Sequence, residues 1–550
     1  ELSNILTKIT STNPALGVTV MVPNSLGPGE LLHHYGTEEQ KNKYLPGLAK
    51  GDYIPCFGLT GPNNGSDATG SIDEGILKME NGKKYIEITI NKRYITLAPV
   101  SNLIGLAFRL KDPNNLLKSG KEGITVALIE KDHKGLEQNT YHNPLNTGFP
   151  NGTLKGTFRI ELDQIIGGEK NTGEGWKMLM ECLSTGRAIS LPAVANGASK
   201  TSLYGTYLYS LHRKQFKRKL IEMQGVREKL VNMTYNTYII QSSISLTNML
   251  LDSGEKPSVI SAIMKEQTTE RARNVINDGM DINAGSAICL GENNFIEKFY
   301  RAIPVGITVE GSNVLTRNLI IFGQGLNKSH PYINGLLDSI LNNDVKSFNR
   351  LLIPMINDSI KNYLYAVIHG LTPLGYFKNE LELQTMYFAG LSNFVALLGG
   401  KLKSEQYLSG SMANILSNLY LAHSIEWYEK HNKISEIMKV YCISRLCNEN
   451  KILFNNVINN YPYYKFLLHP FKQKINSENF VSREDVMNEL LTNEKFIESI
   501  KDDIQIKGTP LENMEKLLTL NENSEEYAQL YSKVIRVGEE FIEKKKEIII

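Results

Sequence analysis

Glu310 lies in the run Ile307-Thr308-Val309-Glu310-Gly311-Ser312-Asn313-Val314-Leu315, a single carboxylate between apolar residues and a glycine, just before an apolar helical stretch. A carboxylate so placed can act as a desolvated base. Burial without a cationic partner disfavours the charged form and raises a Glu pKa, as proton abstraction from a weak carbon acid near neutral pH requires. The plainer reading is an acid near a helix N-terminus, stabilised by the helix dipole. Two further kinds of segment could hold a ligand. In Phe57-Gly58-Leu59-Thr60-Gly61-Pro62-Asn63-Asn64-Gly65-Ser66-Asp67 the glycines allow close approach, and the Ser66 hydroxyl with main-chain N–H groups can bind a phosphate or a heterocycle carbonyl. An ordinary turn has the same composition. Downstream come Arg93-Tyr94-Ile95-Thr96 and Arg213-Lys214-Gln215-Phe216, whose members would otherwise be strand residues and surface cations.

The elements that must position these groups change in texture along the chain. Residues 1–52 read as helical; Thr37 with Gln40 is a capping-box pattern, and Pro46 is expected to limit the helix that follows to about two turns. Over 53–170 the runs are β-like: Ile86 to Ile90 alternates, and Tyr94 to Leu97, Leu103 to Phe108 and Ile124 to Ile129 are strand-like. Turns are expected at Asp112-Pro113-Asn114-Asn115 and at Asn151-Gly152. Gly173-Glu174-Gly175-Trp176 closes this region, and helices follow. Met223, Val226, Leu230, Met233, Thr237 and Ile240 share one helical face, and Pro257 suits a first helical turn. Gly323-Gln324-Gly325 is expected to stop the helix carrying Leu319 to Phe322. Near the end, Glu543-Lys544-Lys545-Lys546-Glu547 reads as a solvated helix face. The fold class is therefore α+β and multidomain. It comprises the remainder of an N-terminal helical domain over 1–52, a middle antiparallel β barrel or sandwich over 53–170, a C-terminal helical bundle over 171–328 and an additional all-α domain over 329–550.

Composition bounds the function. At 550 residues, with 41% hydrophobic and 21% charged content, the chain is globular and can bury several cores. A net charge of +2 argues against nucleic acid or another dominant polyanion. Cys56, Cys182, Cys289, Cys442 and Cys447 are scattered, fit free thiols in a reduced compartment, and lack the companions a metal site needs. No apolar run of about 18 residues and no signal peptide appears. The chain opens on Glu1 inside a helical stretch, as a fragment or processed form would. The expected location is cytoplasmic, with any membrane anchor carried by a segment outside this chain.

In order and together, these motifs resemble the acyl-coenzyme A dehydrogenase family, specifically its enlarged bacterial long-chain type with an extra C-terminal helical domain. The resemblance runs through Gly36-Thr37-Glu38-Glu39-Gln40-Lys41, Thr60 with Gly65-Ser66-Asp67, Lys92-Arg93-Tyr94-Ile95-Thr96-Leu97-Ala98-Pro99 and His142-Asn143-Pro144-Leu145-Asn146. It continues through Glu181-Cys182-Leu183-Ser184-Thr185-Gly186-Arg187, Arg213 to Phe216, and Val309-Glu310-Gly311 with Arg317-Asn318. The resemblance implies FAD and an acyl thioester meeting at the junction of the domains, and desaturation of an acyl-CoA to a trans-2-enoyl product. By it, Glu310 is the base that takes the α-proton while a hydride leaves the β-carbon for the flavin. Thr60, Gly65, Ser66, Tyr94 and Thr96 would hold the flavin ring and its substituents, with Tyr94 packing on the ring. Arg213 and Phe216 would reach the flavin pyrophosphate of a neighbouring subunit, which implies a homo-oligomer. Gly285 would approach the flavin diphosphate and Ser312 the cofactor, while Arg187, Ser66 and Gly311 would meet the substrate. An electron-transfer flavoprotein or similar acceptor is implied as partner, and peripheral membrane contact by the last domain stays open.

Three positions depart from the family's pattern: Gly61 where a Glu usually stands between the Thr and the Pro, Lys217 where a Gly usually follows the Phe, and Val314 where some relatives are polar. Gly61 would loosen the loop against the flavin. Two other readings share these features. An acyl-CoA oxidase would reoxidise its flavin rapidly in air with peroxide release, and a non-catalytic scaffold would stay colourless after FAD reconstitution.

Overall fold

The computed structural model describes residues 1–550 apart from 26, 139, 256, 372–378 and 536–550, and leaves aside the side chains of 23–25, 183–185, 370 and 371. The charge cluster Glu543 to Glu547 therefore lies outside the described residues. Two compact units are present: Glu1–Thr201 with Ala287–Gly311 and Asp503–Glu512, and Ser202–Ser286 with Ser312–Asp502 and the residues from Asn513 onward.

The first unit opens with α1 (Leu2–Thr12), α2 (Pro14–Ser25), α3 (Pro28–Tyr35) and α4 (Glu38–Lys50). The capping box forms: Gln40 N donates to Thr37 Oγ1 at 3.2 Å and Thr37 N donates to Gln40 Oε1 at 3.1 Å. Helix α4 does not end early at Pro46. It continues to Lys50 and is terminated by Gly51 at φ 83°. The carbonyl deprived of its donor by Pro46 belongs to Asn42, an exposed residue.

Strands β1 (Pro55–Gly58), β2 (Glu74–Glu80), β3 (Lys83–Thr96), β4 (Leu103–Lys111), β5 (Gly123–Glu130), β6 (Leu136–Glu137) and β7 (Asn151–Glu161) follow. They form one seven-stranded sheet in the order β1-β4-β2-β3-β7-β6, with β5 paired to β4. Most ladders are antiparallel, but β1 and β2 both run parallel to β4, so the sheet is mixed rather than purely antiparallel. Alternation along β3 sends Ile86, Ile88 and Ile90 into a core with Leu77, Leu106, Phe108 and Phe158. Through Leu103, Val126 and Leu128 the sheet packs on Leu31 and Leu32 of α3, Tyr44 of α4 and Met178. Asp112 to Asn115 is a turn, closed by Asn115 N donating to Asp112 O at 3.2 Å. Asn151-Gly152 is not a turn. These residues open β7 opposite Thr96 and Ile95. A Cβ on Gly152 would stand 2.2 Å from the Thr140 carbonyl, so the glycine serves close strand packing.

Next come α5 (Gly175–His212), the hairpin β8 (Lys214–Gln215) and β9 (Arg218–Lys219), α6 (Gln224–Asp252), α7 (Ser258–Asn283), α8 (Gly285–Ile288), α9 (Glu297–Ala302), α10 (Asn313–Leu315) and α11 (Gly325–Ser329). The remainder is α12 (Ile333–Leu341), α13 (Val345–Leu371), α14 (Glu380–Ala396), α15 (Gln406–Asn432), α16 (Glu436–Asn460), α17 (Phe480–Thr492), α18 (Glu494–Lys501), α19 (Pro510–Thr519) and α20 (Glu525–Ile535). In the second unit α6 packs on α7 and α15, and α15 on α16. Leu230, Met233, Thr237 and Ile240 of α6 are buried together, and Pro257 is the N-cap of α7. Gly323-Gln324-Gly325 does not stop a helix. Thr316–Gln324 is wound as a π-helix that leads directly into α11, and neither glycine takes a positive φ that would turn the chain out of it. Among the described residues no helix is long and apolar enough to cross a membrane.

Candidate functional site

The loop after β1 is a closed clasp. Buried Asn64 donates from Nδ2 to Leu59 O at 3.1 Å and Ala68 O at 3.2 Å, and its Oδ1 accepts from Gly61 N at 2.8 Å. A Cβ on Gly61 would lie 2.9 Å from both Asn64 Oδ1 and the Asn91 carbonyl. The loosening expected from Gly61 is therefore reversed: the absence of a side chain there is what lets the loop close. Beneath the clasp, fully buried Lys92 donates to Leu59 O at 3.1 Å and pairs with Asp73 at 3.0 Å. Burial pushes the Lys92 ammonium below its ordinary range while Asp73 pulls it back. Arg93 N donates to Thr60 O at 3.0 Å, so loop and strand are tied at two successive carbonyls.

Between Lys92 and Ile95 the register of β3 on β7 slips, leaving Arg93 and Tyr94 opposite one residue of β7. This bulge re-aims a side chain. Tyr94 takes φ 60°, an unfavourable backbone for an aromatic, and is 60% exposed. Its ring centroid lies 5.1 Å from that of His142, and the Arg93 guanidinium sits 4.9 Å from the Tyr94 ring. Thr96 Oγ1 accepts from Asn151 Nδ2 at 3.3 Å, and His142 N donates to Asn151 O at 2.8 Å. His142 Nε2 is buried without a hydrogen-bond partner. Gly65 and Ser66 lie on the exposed arm of the clasp, and Gly65 has open space around it. An outward aromatic, the Thr60 and Thr96 hydroxyls and an orphaned imidazole nitrogen match the stacking and polar edge of a planar heterocycle. The residues present thus fit a flavin ring.

Glu310 follows the 3₁₀ turn Ile303–Ile307 and takes φ 55°, with Gly311 at φ 97°. A left-handed backbone costs a non-glycine residue about 1–2 kcal/mol, strain of the kind that collects at functional positions. Both Glu310 carboxylate oxygens are screened from solvent. Ser312 is the N-cap of α10, so Glu310 stands two residues ahead of this cap and outside the first turn of the helix. Nor is the carboxylate remote from a cation. Burial pushes the Arg187 guanidinium of α5 down from its ordinary value, and the Glu310 charge opposes that shift. Arg187 Nε is itself buried without a hydrogen-bond partner. Upstream, Arg301 pairs with Glu297 at 2.7 Å and donates to Asn146 O at 2.9 Å, fastening the segment before Glu310 to the 142–146 run.

The remaining expected positions belong to the second unit. Phe216 (φ 52°) and Lys217 (φ 63°) form the two-residue turn between β8 and β9, and Phe216 is 89% exposed at its tip. Positive φ at Lys217 explains why glycine is favoured there. Leu220 N donates to Arg213 O at 2.9 Å at the base of the hairpin. Glu522 pairs with Lys214 at 3.0 Å and Lys219 at 2.8 Å, and the two ammonium groups hold its carboxyl down at about 2. Gly285 begins α8 with open space around it, Ser312 makes no side-chain cap bond, and Val314 is exposed. Buried Asn313 anchors this stretch, accepting from Lys265 Nζ at 2.6 Å and donating to Thr269 Oγ1 at 3.0 Å.

Sequence reasoning missed Asn64, Asp73, Lys92, Asn151 and Glu522. One signal was available: Lys92 is in phase with Ile86, Ile88 and Ile90, so the strand period already turned a lysine inward.

Residues 1–52 match the family described as Acyl-CoA dehydrogenase, N-terminal domain; 173–323 match its C-terminal domain; and 327–547 match Acyl-CoA dehydrogenase, C-terminal, bacterial type. Among curated proteins, a 3-(aryl)acrylate reductase of Clostridium sporogenes is 28% identical over 323 residues, 58% of this chain and 80% of its own length. An acyl-CoA dehydrogenase of Bacillus subtilis is 28% identical over 319 residues, 57% of this chain and 79% of its own length. Among solved structures, an acyl-CoA dehydrogenase complexed with FAD from Bacillus anthracis superposes with a TM-score of 0.72 at 20% identity, covering 90% of this chain and 84% of that one.

Proposed function

Because the chain belongs to the acyl-CoA dehydrogenase family, we propose that it catalyses FAD-dependent α,β-dehydrogenation of a long-chain acyl-CoA to the trans-2-enoyl-CoA, a step of fatty acid β-oxidation. The observation that carries this reading is the Glu310 carboxylate, screened from solvent in a strained turn with the part-buried Arg187 in its field. In this reading Glu310 takes the proton from the carbon next to the thioester carbonyl, and a positioned base of this kind contributes about 10²–10⁴-fold. Arg187 balances the carboxylate charge and orients the thioester end, with Gly311 and Ser66 on the substrate side. Thr60, Gly65, Ser66, Tyr94, Thr96, Gly285 and Ser312 hold the cofactor. FAD, when bound, supplies the acceptor for the β-hydride. Arg213 and Phe216 reach the cofactor of a neighbouring subunit, which makes a homo-oligomer the working form, and an electron-transfer flavoprotein or similar carrier removes the electrons in the cytoplasm.

Similarity to a protein named as an acrylate reductase supports a second reading, in which the same acid–base residue works in reverse and delivers the α-proton. Anaerobic mixing of the flavin-loaded protein with acyl-CoA thioesters of increasing length tests both. Bleaching by saturated thioesters, strongest for long chains, supports dehydrogenation; reoxidation of a prereduced flavin by enoyl-CoA without such bleaching supports reduction. Glu310→Gln should retain FAD and lose bleaching at least about 10²-fold. Bleaching at the wild-type rate would place the base elsewhere.

A further inference from the structure

Three buried amides, Asn418, Asn450 and Gln384, form a chain through the second unit that ends at Gln473. Asn418 Nδ2 donates to Asn450 Oδ1, Asn450 Nδ2 to Gln384 Oε1, and Gln384 Nε2 to Gln473 Oε1, each at 3.1 Å. Backbone sets the direction of this relay. Gln384 Nε2 also donates to the Cys447 carbonyl at 2.9 Å, and a carbonyl can only accept. Gln473 is therefore held with its oxygen toward Gln384 and its Nε2 turned away. That nitrogen is buried without a hydrogen-bond partner. The main chain of Gln473 is pinned as well, its N donating to Asn455 Oδ1 at 3.1 Å and its O accepting from Asn455 Nδ2 at 2.9 Å. A buried donor without an acceptor is destabilising and rare, so it calls for a reason.

Gln473 lines a cavity of about 600 Å³ together with Leu383 and Tyr387 of α14, Lys451 of α16, and Lys472 and Lys474. Its size is that of a small-molecule site. The charge inside is unbalanced. Buried Lys451 is matched by Glu380 at 2.5 Å, whereas exposed Lys472 and Lys474 have no carboxylate partner among the described residues. We propose that this cavity binds the phosphomonoester of a small soluble metabolite. Gln473 Nε2 donates to a phosphate oxygen, the Lys472 and Lys474 ammonium groups balance the charge, and an apolar body rests against Leu383 and Tyr387. A phosphomonoester carries about −1.5 to −2 near neutrality, which matches two unpaired lysines. A carboxylate, or the diester of a common lipid headgroup, would neutralise only one of them.

Calorimetric titration of the flavin-loaded full chain with phenyl phosphate, inorganic phosphate and benzoate tests the proposal. Phenyl phosphate should bind the wild type more tightly than either of the others. Gln473→Glu keeps an oxygen for Gln384 but puts a negative acceptor where the unmatched donor stood, and should weaken phenyl phosphate at least about tenfold. Lys472→Gln with Lys474→Gln alters exposed groups only, and should weaken it several-fold and remove its salt dependence. Circular dichroism and melting matching the wild type certify the fold of each variant. A wild type that binds neither phosphate, or an affinity that both variants leave unchanged, overturns the proposal. Benzoate binding as tightly as phenyl phosphate overturns the phosphate assignment. Co-sedimentation with phosphatidic acid vesicles, without binding of the soluble phosphates, assigns the cavity to a lipid headgroup and overturns it as well.

Discussion

Restoring the family's usual glutamate at position 61 is the substitution that separates sequence reasoning from structural reasoning most cleanly. From sequence, Gly61→Glu should stiffen a loose loop and tighten flavin binding. From structure it should do the reverse. The new Cβ would stand 2.9 Å from Asn64 Oδ1 and 2.9 Å from the Asn91 carbonyl, and the second of these is backbone that cannot swing away. Loss of the Gly61–Asn64 hydrogen bond costs about 0.5–1.5 kcal/mol. Forcing strand and loop apart adds about 1–3 kcal/mol. Lys92 and Arg93, bonded to the Leu59 and Thr60 carbonyls, would carry the displacement toward Thr60. With a total of about 1.5–4.5 kcal/mol, and each 1.4 kcal/mol worth tenfold, FAD should be held at least about tenfold more weakly. Flavin fluorescence titration and thermal melting measure the two effects, and Gly61→Ala isolates the Cβ from the carboxylate. Both variants melting as the wild type does and holding FAD as tightly would refute the clasp.

Lys92→Met should destabilise the first unit by about 2–3 kcal/mol, below the 3–5 kcal/mol of a fully buried broken pair because Asp73 keeps some contact with water; urea unfolding measures this, and Asp73→Leu added to it should restore much of the loss. Lys217→Gly should raise hairpin stability by about 1 kcal/mol, since glycine carries no penalty at φ 63°; a lowered melting temperature would refute it. Glu522 sits at about 2 in the folded chain against an ordinary 4.5, so its ties to Lys214 and Lys219 contribute fully above about pH 4.5 and fade as pH falls toward 2. Because the group is half exposed, screening keeps the effect under about 1 kcal/mol. Wild type and Glu522→Gln should accordingly differ in stability near neutrality and converge in acid, and a difference independent of pH would rule the clamp out.

By itself the sequence determined the order and type of the elements around the site. The alternation of Ile86, Ile88 and Ile90 specified a half-buried strand, Thr37 and Gln40 specified a helix start, and both are local patterns readable from neighbouring residues. It also singled out Glu310, Thr60, Tyr94, Arg187 and Phe216 as the residues to place. Tertiary structure decided what holds them. Pro46 sits inside α4 with its i−4 residue, Asn42, on the exposed side, Gly152 packs a strand rather than turning it, and Gly61 closes a clasp that its flexibility would open. Neither the buried Lys92–Asp73 pair nor the nearness of Arg187 to Glu310 has a local signature. The reason is physical: periodicity reports which face a residue turns inward, whereas close approach, desolvation and charge pairing depend on atoms brought together from distant parts of the chain.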